Sequence, residues 1–218
     1  MSTAAKLHVE FHCHTTASHD GLTSPAGLVE ACRREGLDRV IVTDHNTIAG
    51  ALEARRIDPT LVIVGEEIMT TAGELLAAFV SEEVPSGLEP MDAILRLKAQ
   101  GAFISVSHPF DWLRSPWEPK ILTELLPHID AIETFNARCL FSGFNQAAEK
   151  FARKHALPGT SGSDAHTTDE LGFATMLVDP FDGAPGLKAV IAYAMPQNRR
   201  VSPWLHFSSS RATRSRRG

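Results

Sequence analysis

The chain lacks any apolar run close to the roughly 18 residues that cross a bilayer. Its three cysteines, Cys13, Cys32 and Cys139, are too few and too unevenly spread to predict a disulfide framework. Residues 1–6 have neither the basic start nor the apolar stretch of a secretory signal. We therefore expect a cytoplasmic protein with reduced thiols and no membrane span.

Basic charge is also scarce outside one short segment. The sequence has 21 basic and 26 acidic residues, and four of the basic ones are arginines within residues 206–218, which leaves 17 basic against 26 acidic residues in the body. This acidic body argues against a stable nucleic-acid complex through a basic surface. We predict one domain over residues 1–205 and a basic, disordered tail over residues 206–218, because a Ser- and Arg-rich segment cannot bury a core. A loose contact of this tail with a partner stays open.

The remaining composition, with 43% hydrophobic and 22% charged residues in 218, is typical of a globular domain. Strand patterns alternate with helix patterns, which favours parallel strand-helix-strand units. Strands are predicted over residues 7–11, 39–43, 61–65, 75–80, 102–106, 131–135, 158–161 and 174–178. Helices are predicted over residues 25–36, 46–56, 90–101, 119–126, 144–155 and 187–194.

His12 and His14 close the first predicted strand. Side chains at i and i+2 of a strand point to the same side, so one cation can bind both imidazoles while Cys13 faces the other way. An isolated pair of this kind is as often solvated or hydrogen-bonded as it is a ligand pair. The interpretation therefore depends on the rest of the chain.

Polar side chains recur at the ends of the later strands, where parallel α/β barrels assemble their active sites. Taken one at a time, Asp44 could be a helix cap, Glu67 a surface acid, His108 a packed histidine and Asp164 a turn residue. Taken together, six strand ends that all supply imidazole or carboxylate and no thiolate predict a multinuclear metal site. The strand-end groups are His12 and His14, Asp44-His45, Glu66-Glu67, Ser107-His108-Pro109, Glu133 with Asn136, and Ser163-Asp164-Ala165-His166.

In their order along the chain these motifs resemble the polymerase and histidinol phosphatase (PHP) superfamily of metal-dependent phosphoesterases, and in particular its short stand-alone members. The resemblance covers about residues 7–180 and implies an α/β fold, a distorted (β/α)7 barrel with the metal site at the C-terminal ends of the strands. The motifs that carry it are His12-x-His14, Ser18-His19-Asp20-Gly21, Thr43-Asp44-His45-Asn46, Gly65-Glu66-Glu67-Ile68, Ser107-His108-Pro109 and Gly162-Ser163-Asp164-Ala165-His166.

The resemblance also implies ligands for two or three divalent ions, expected to be manganese, iron or zinc. It assigns His12, His14, Glu67 and Asp164 to the first ion. It assigns Glu67 as a bridge and His108 to the second ion, which Glu133 or the nearby Asn136 would complete. It assigns Asp20, His45 and His166 to the third ion. An aspartate at position 20, where some relatives have histidine, favours a harder ion such as manganese or iron.

The expected activity is hydrolysis of a phosphate mono- or diester by a metal-activated hydroxide, with Glu67 and Asp164 as catalytic ligands. His19 is a candidate general acid, although an exposed histidine is the simpler interpretation. Arg138 is the first candidate for binding phosphate and Arg114 the second. The expected partner is a small phosphate ester, a nucleotide or a short oligonucleotide end. A metal-dependent amidohydrolase and a non-catalytic metal-binding module are the alternatives.

Overall fold

The strands of residues 5–199, the part of the chain that this computed structural model describes, form one mixed sheet. The predicted boundary at residue 205 and the basic tail of residues 206–218 lie outside the described residues. The strands are β1 (Leu7–Cys13), β2 (Arg39–Val42), β3 (Val62–Met69), β4 (Glu74–Ala78), β5 (Phe103–Val106), β6 (Ala131–Asn136), β7 (Gly159–Gly162), β8 (Ala174–Val178) and β9 (Met195–Asn198).

The first seven strands follow one another around the sheet, and the far end of β7 returns to β1. There the backbone N–H of His14 donates to Ala165 and the N–H of Asp164 donates to His12, both at 2.8 Å. These bonds nearly close a barrel, and the sheet continues outside it through β8, which is antiparallel to β1, and β9, which is antiparallel to β8. The expected α/β barrel of the PHP type is confirmed.

One strand departs from the parallel pattern, because β4 runs antiparallel to both β3 and β5. Only four residues separate β3 from β4, too few for the helical crossover that parallel strands need. The reversal is tight at Gly73, where a Cβ atom would lie 2.4 Å from the Trp117 ring. As a result, the N-terminal end of β4 lies at the same barrel edge as the C-terminal ends of the parallel strands.

The helices cover the outside of the barrel, and the first of them begins at a capping signal in the sequence. Ser24 caps the first helix, with Oγ accepting from the N–H of Gly27 at 3.1 Å, and Pro25 occupies its first turn. The helices are α1 (Pro25–Arg34), α2 (Ala49–Ile57), α3 (Pro90–Ala99), α4 (Pro119–Leu125), α5 (Ser142–Lys154) and α6 (Gly183–Val190). None of the helices within residues 5–199 has the length and apolar character that crossing a bilayer requires.

The barrel interior below the strand ends is filled by side chains from several strands. Phe11, Ile41 and Phe103 are buried there and leave a gap of only about 10 Å³ between them. Each such side chain contributes on the order of 1.5–3 kcal/mol through the apolar surface that it removes from water. Polar side chains in this interior are small, as Ser105 and Thr160 are, whereas the imidazoles and carboxylates of the predicted metal site gather at the C-terminal edge of the barrel.

Candidate metal centre

Four buried ligand atoms converge where β1, β3 and β7 end. Nε2 of His12 lies 3.1 Å from Nε2 of His14 and 3.1 Å from Oε2 of Glu67. Oδ1 of Asp164 lies 3.2 Å from Nε2 of His14 and 3.6 Å from Nε2 of His12. The four side chains are at most 2% exposed, so the cluster is shielded from bulk water.

This spacing fits a divalent cation. Ligands about 2.0–2.2 Å from a zinc-sized ion at tetrahedral positions are roughly 3.3–3.6 Å apart, close to the 3.1–3.6 Å spacing of these atoms. Imidazole nitrogen and carboxylate oxygen are also the donors that zinc, iron and manganese share. The residues present therefore fit the first ion that the resemblance implies.

Glu67 extends the cluster toward a second set of residues. Its Oε2 faces His12, whereas its Oε1 accepts from Ser107 Oγ at 2.6 Å and lies 3.4 Å from Nε2 of His108. Glu74 completes this set, because Oε2 lies 3.2 Å from Nε2 of His108 and Oε1 lies 3.7 Å from Nδ1 of His45. Glu67 thus lies between two groups of histidines, as a bridging carboxylate must.

Sequence reasoning missed Glu74. It is the first residue of β4, and an acid at the start of a strand carries no metal signal when all strands are taken as parallel. The antiparallel direction of β4 brings this residue to the edge where the other ligands lie. A short β3–β4 connection in the sequence was the signal that could have found it.

Glu133 was expected beside His108 as a ligand, and the structure places it elsewhere. Its Oε1 accepts from Nδ1 of His12 at 2.9 Å, and its Oε2 accepts from the backbone N–H of His108 at 2.8 Å and from Asn136 Nδ2 at 3.0 Å. Glu133 therefore contacts the side of the His12 ring opposite to Nε2, the nitrogen that faces Glu67 and His14. Neither it nor Asn136 faces Nε2 of His108, and Glu74 occupies that side instead.

A third group lies on the open side of the first. Oδ2 of Asp20 is 3.1 Å from Nε2 of His166 and 3.6 Å from Nε2 of His45, so the structure brings together the three residues assigned to a third ion. His19, with 59% of its side chain exposed, stands at the mouth with Nε2 3.8 Å from Asp20 Oδ2. It therefore borders the third group, and its ring centroid lies 5.3 Å from that of His45.

Asp44 supports this group without facing it. Its carboxylate accepts from the Thr15 N–H at 2.6 Å and from the hydroxyls of Thr15 and Ser18 at 2.7 and 2.8 Å. Ser18 Oγ in turn accepts from the His45 N–H at 2.9 Å. Asp44 therefore fixes the loop that carries Asp20, and it is not a helix cap, since α2 starts only at Ala49.

The charges in the cluster depend on one another. Burial alone would lower the pKa of His12, but Glu67, Asp164 and Glu133 outweigh it and hold that pKa well above its usual value. The carboxylates likewise overcome burial at His45 and raise its pKa to about 9. Burial and the neighbouring His166 and His45 lower the pKa of His14 to about 3. Protons and cations compete for these nitrogens, so binding of metal should release protons.

Two arginines line the same cleft, which has a volume of about 390 Å³. Arg114 donates through Nη1 to Oδ2 of Asp164 and through Nε to Oδ2 of Asp111 at 3.0 Å. Arg138 contacts Oε1 of Glu170 through Nη1 at 3.4 Å. Both guanidinium groups are therefore anchored by carboxylates at the edge of the metal-ligand set.

Comparison with family models gives two matches that do not overlap. The model described as the PHP domain matches residues 10–126. A second, described as PHP-associated, matches residues 143–192. Together they include most of β1, all of β2 to β5 and the segment that carries Asp164 and His166.

Two uncharacterised proteins of Methanocaldococcus jannaschii are similar in sequence. One is 34% identical over 173 residues, which are 77% of this chain and 69% of that protein. The other is 30% identical over 144 residues, which are 60% of this chain and 82% of that protein. Neither carries an assigned activity.

Three solved structures are similar in fold, each below 20% sequence identity. PsfC from Pseudomonas syringae aligns with a TM-score of 0.73 at 18% identity, over 97% of this chain and 99% of that one. A proposed metal-dependent phosphoesterase from Bifidobacterium adolescentis aligns with a TM-score of 0.61 at 18% identity, over 73% and 88%. A lesion-specific endonuclease from Pyrococcus furiosus aligns with a TM-score of 0.55 at 14% identity, over 86% and 56%. At these identities the likeness establishes the fold alone.

Proposed function

Because this chain belongs to the PHP domain family, we propose that it is a phosphoesterase that hydrolyses a phosphate mono- or diester at a site of two or three divalent ions. The family and the fold support the broader description, a metal-dependent hydrolase. The number of ions, the phosphate substrate and the residue roles are the parts that we propose.

The observation that carries the proposal is the combination of groups in one cleft. Potential ligand atoms lie within 4.8 Å of one another in three overlapping sets, which meet two anchored guanidinium groups in a space of about 390 Å³. The sets are His12, His14 and Asp164; His14, His45 and His166; and His45, Glu67 and Glu74. An anion with several oxygens can contact both kinds of positive charge at once, and guanidinium matches phosphate geometry well. A phosphate ester is the substrate class that uses all of these groups.

We assign His12, His14, Glu67 and Asp164 to a first ion and Glu67, Glu74 and His108 to a second. Asp20, His45 and His166 would hold a third. Bound divalent ions would lower the pKa of water toward neutrality and neutralise negative charge on phosphoryl oxygens.

The chain's own residues then position the substrate. Arg114, held beside Asp164, and Arg138, held by Glu170, would each donate to a phosphoryl oxygen and so orient phosphorus toward the proposed ligands. His19, exposed at the mouth, is placed to donate a proton to the departing oxygen. Glu133 fixes His12, and Asp44 fixes the loop of Asp20, so the ligands are held before substrate arrives.

The substrate is expected to be small or to be a chain end. The cleft volume suits a phosphate ester of nucleotide size, and the phosphoesterase and the endonuclease among the fold relatives are compatible with a nucleotide or a short oligonucleotide end. We propose neither a membrane surface nor a long nucleic acid as the substrate.

The test measures metal content and phosphate release in the same preparation. Protein loaded with manganese, iron or zinc should release phosphate from monoesters or hydrolyse diesters, and Asp164→Ala should lose bound metal and at least 100-fold of the rate. Asp92→Ala, an exposed carboxylate on α3, is the matched control. Full turnover by Asp164→Ala without metal would refute the assignment, and turnover of amides instead of phosphate esters would indicate an amidohydrolase.

A further inference from the structure

Exposed apolar side chains stand together next to the cleft. Trp112 is 65% exposed and Phe141 is 56% exposed, and their rings stack with centroids 6.4 Å apart at an angle of 10°. Leu113 and Leu140, beside them in the chain, are 45% and 58% exposed. We name these four residues the rim patch. Contiguous exposed apolar surface of this kind marks an interaction site more often than a solvated face.

The rim patch lies at the border of the candidate metal centre. Trp112 precedes the cleft-lining Arg114 by two residues, and Phe141 follows the cleft-lining Arg138 by three. Phe144 on α5 supports both aromatic rings edge-on, with centroid distances of 6.0 and 5.7 Å. The patch is thus held in shape from below, while its outer side faces solvent.

The described chain ends next to this patch. The backbone N–H of Arg199 donates to Phe173 at 2.6 Å, and Asn198 lines a groove of about 210 Å³ together with Ser142. Ser142 directly follows Phe141 of the rim patch. The last described residues therefore lie in the part of the domain that carries Phe141 of the patch.

The sequence that follows is complementary to the patch. Trp204, Leu205 and Phe207 are large apolar residues, and Trp204 follows Arg199 by five positions, a span of up to about 17 Å. After them come four arginines, Arg211, Arg214, Arg216 and Arg217.

We propose that Trp204, Leu205 and Phe207 of the same chain dock on the rim patch. Docking buries aromatic surface on both sides, which favours the contact. It also holds the four arginines of the tail beside the cleft rather than free in solution. The contact is intramolecular, so its strength does not depend on protein concentration.

Acrylamide quenching of tryptophan fluorescence in the full chain tests this contact. Trp117 is 2% exposed, so in variants without Trp204 the quenchable signal comes from Trp112. Trp204→Phe keeps an aromatic anchor and Trp204→Ser removes it. We expect the quenching constant of Trp112 to be at least twofold higher in Trp204→Ser. Equal constants in the two variants, matching a chain ended after Arg199, would overturn the proposal.

Trypsin cleavage after Arg200 provides a second readout in the intact chain. Trp204→Ser and Phe141→Ser should each speed this cleavage several-fold, and Tyr193→Ser, which removes an aromatic ring 71% exposed elsewhere, should not. Protection that rises with protein concentration together with dimer formation would overturn the proposal in favour of a second copy. Protection of Trp112 only after adding adenosine monophosphate, whatever the tail carries, would overturn it in favour of a nucleobase.

Discussion

Nδ1 of His12 donates its proton to Oε1 of Glu133 at 2.9 Å, deep below the cleft. An ionised carboxylate can only accept, so this bond keeps a proton on Nδ1 and leaves Nε2, directed at Glu67 and His14, as the nitrogen that could bind a metal ion once its own proton is released. Glu133 thereby sets up a ligand that it does not itself join.

We predict that Glu133→Gln keeps the number of bound ions and weakens their affinity roughly 10- to 100-fold, because an amide orients the ring less strongly than a carboxylate. Metal titration with a competing chelator measures both quantities. Glu149→Gln, an exposed residue on α5, is the control. Loss of one whole ion from Glu133→Gln would mean that Glu133 is a direct ligand after all.

Glu74→Gln should behave differently. Its two oxygens face His108 and His45, so removing the negative charge should cost one bound ion and lower phosphoesterase activity at least 100-fold. Metal analysis of the purified variant at saturating ion, beside Glu124→Gln as an exposed control, decides the matter. An unchanged ion count with normal activity would remove Glu74 from the ligand set.

Glu133 and Glu74 mark the limit of what could be predicted about the site from the sequence. The ends of parallel strands could be located from apolar runs, and the resemblance supplied the order of the ligands, so the structure brings His12, His14, Glu67 and Asp164 together as expected. The antiparallel direction of β4 follows from its four-residue connection to β3, which the predicted end of that strand at residue 65 concealed, and Glu74 was therefore missed. The partner of a buried carboxylate is set by tertiary packing, and this is why Glu133 was misplaced.

Some predicted bounds of strands and helices were wrong for similar reasons. The strand predicted over 61–65 is too short, since β3 continues to Met69. The prediction ended early because Glu66 and Glu67 are charged and do not look like strand residues in the sequence, although both are buried. The helix predicted from residue 46 starts at Ala49, since Asn46 takes a positive φ of 54°. Strand β9 was not predicted, because all four of its residues are exposed and lack alternation.

Glu66 provides a prediction about stability. Burial raises its pKa to about 7, helped by Glu83 and opposed by the N–H of Val84, which donates to Oε2 at 3.0 Å. A carboxyl group with a raised folded pKa is protonated in both states below about pH 4.5, and its contribution to stability is lost as the pH rises through 7.

Glu66→Gln keeps the acceptor for Val84 and cannot ionise. We therefore expect the variant to gain stability over the wild type between pH 5 and 8, by on the order of 3 kcal/mol at most. Urea unfolding at each pH in the presence of a chelator measures the difference, with Glu82→Gln as the exposed control. A difference that stays constant across this pH range would show that Glu66 does not titrate there.

The carboxylates that hold Arg114 and Arg138 predict which of the two arginines contributes more to activity. Arg114 contacts Asp164 and Asp111, so its guanidinium is held next to the proposed first ion, while Arg138 is held by Glu170 alone among the described carboxylates. We expect Arg114→Gln to lower kcat/KM for a phosphate ester roughly 100-fold, and Arg114→Lys to recover part of this loss because the charge returns without the fork. Arg138→Gln should have a smaller effect, mainly on KM.

The ranking depends on metal staying bound, since Arg114 shares Asp164 with the ligand set. Steady-state kinetics should therefore be run beside metal analysis, with the exposed Arg96→Gln as the control. If Arg114→Gln binds its ions normally and loses activity, the guanidinium acts on the substrate. If it loses the ions, Arg114 serves to orient Asp164, and Arg138 becomes the better candidate for the phosphate. The two outcomes separate because Arg138 makes no contact with a proposed ligand among the described ion pairs.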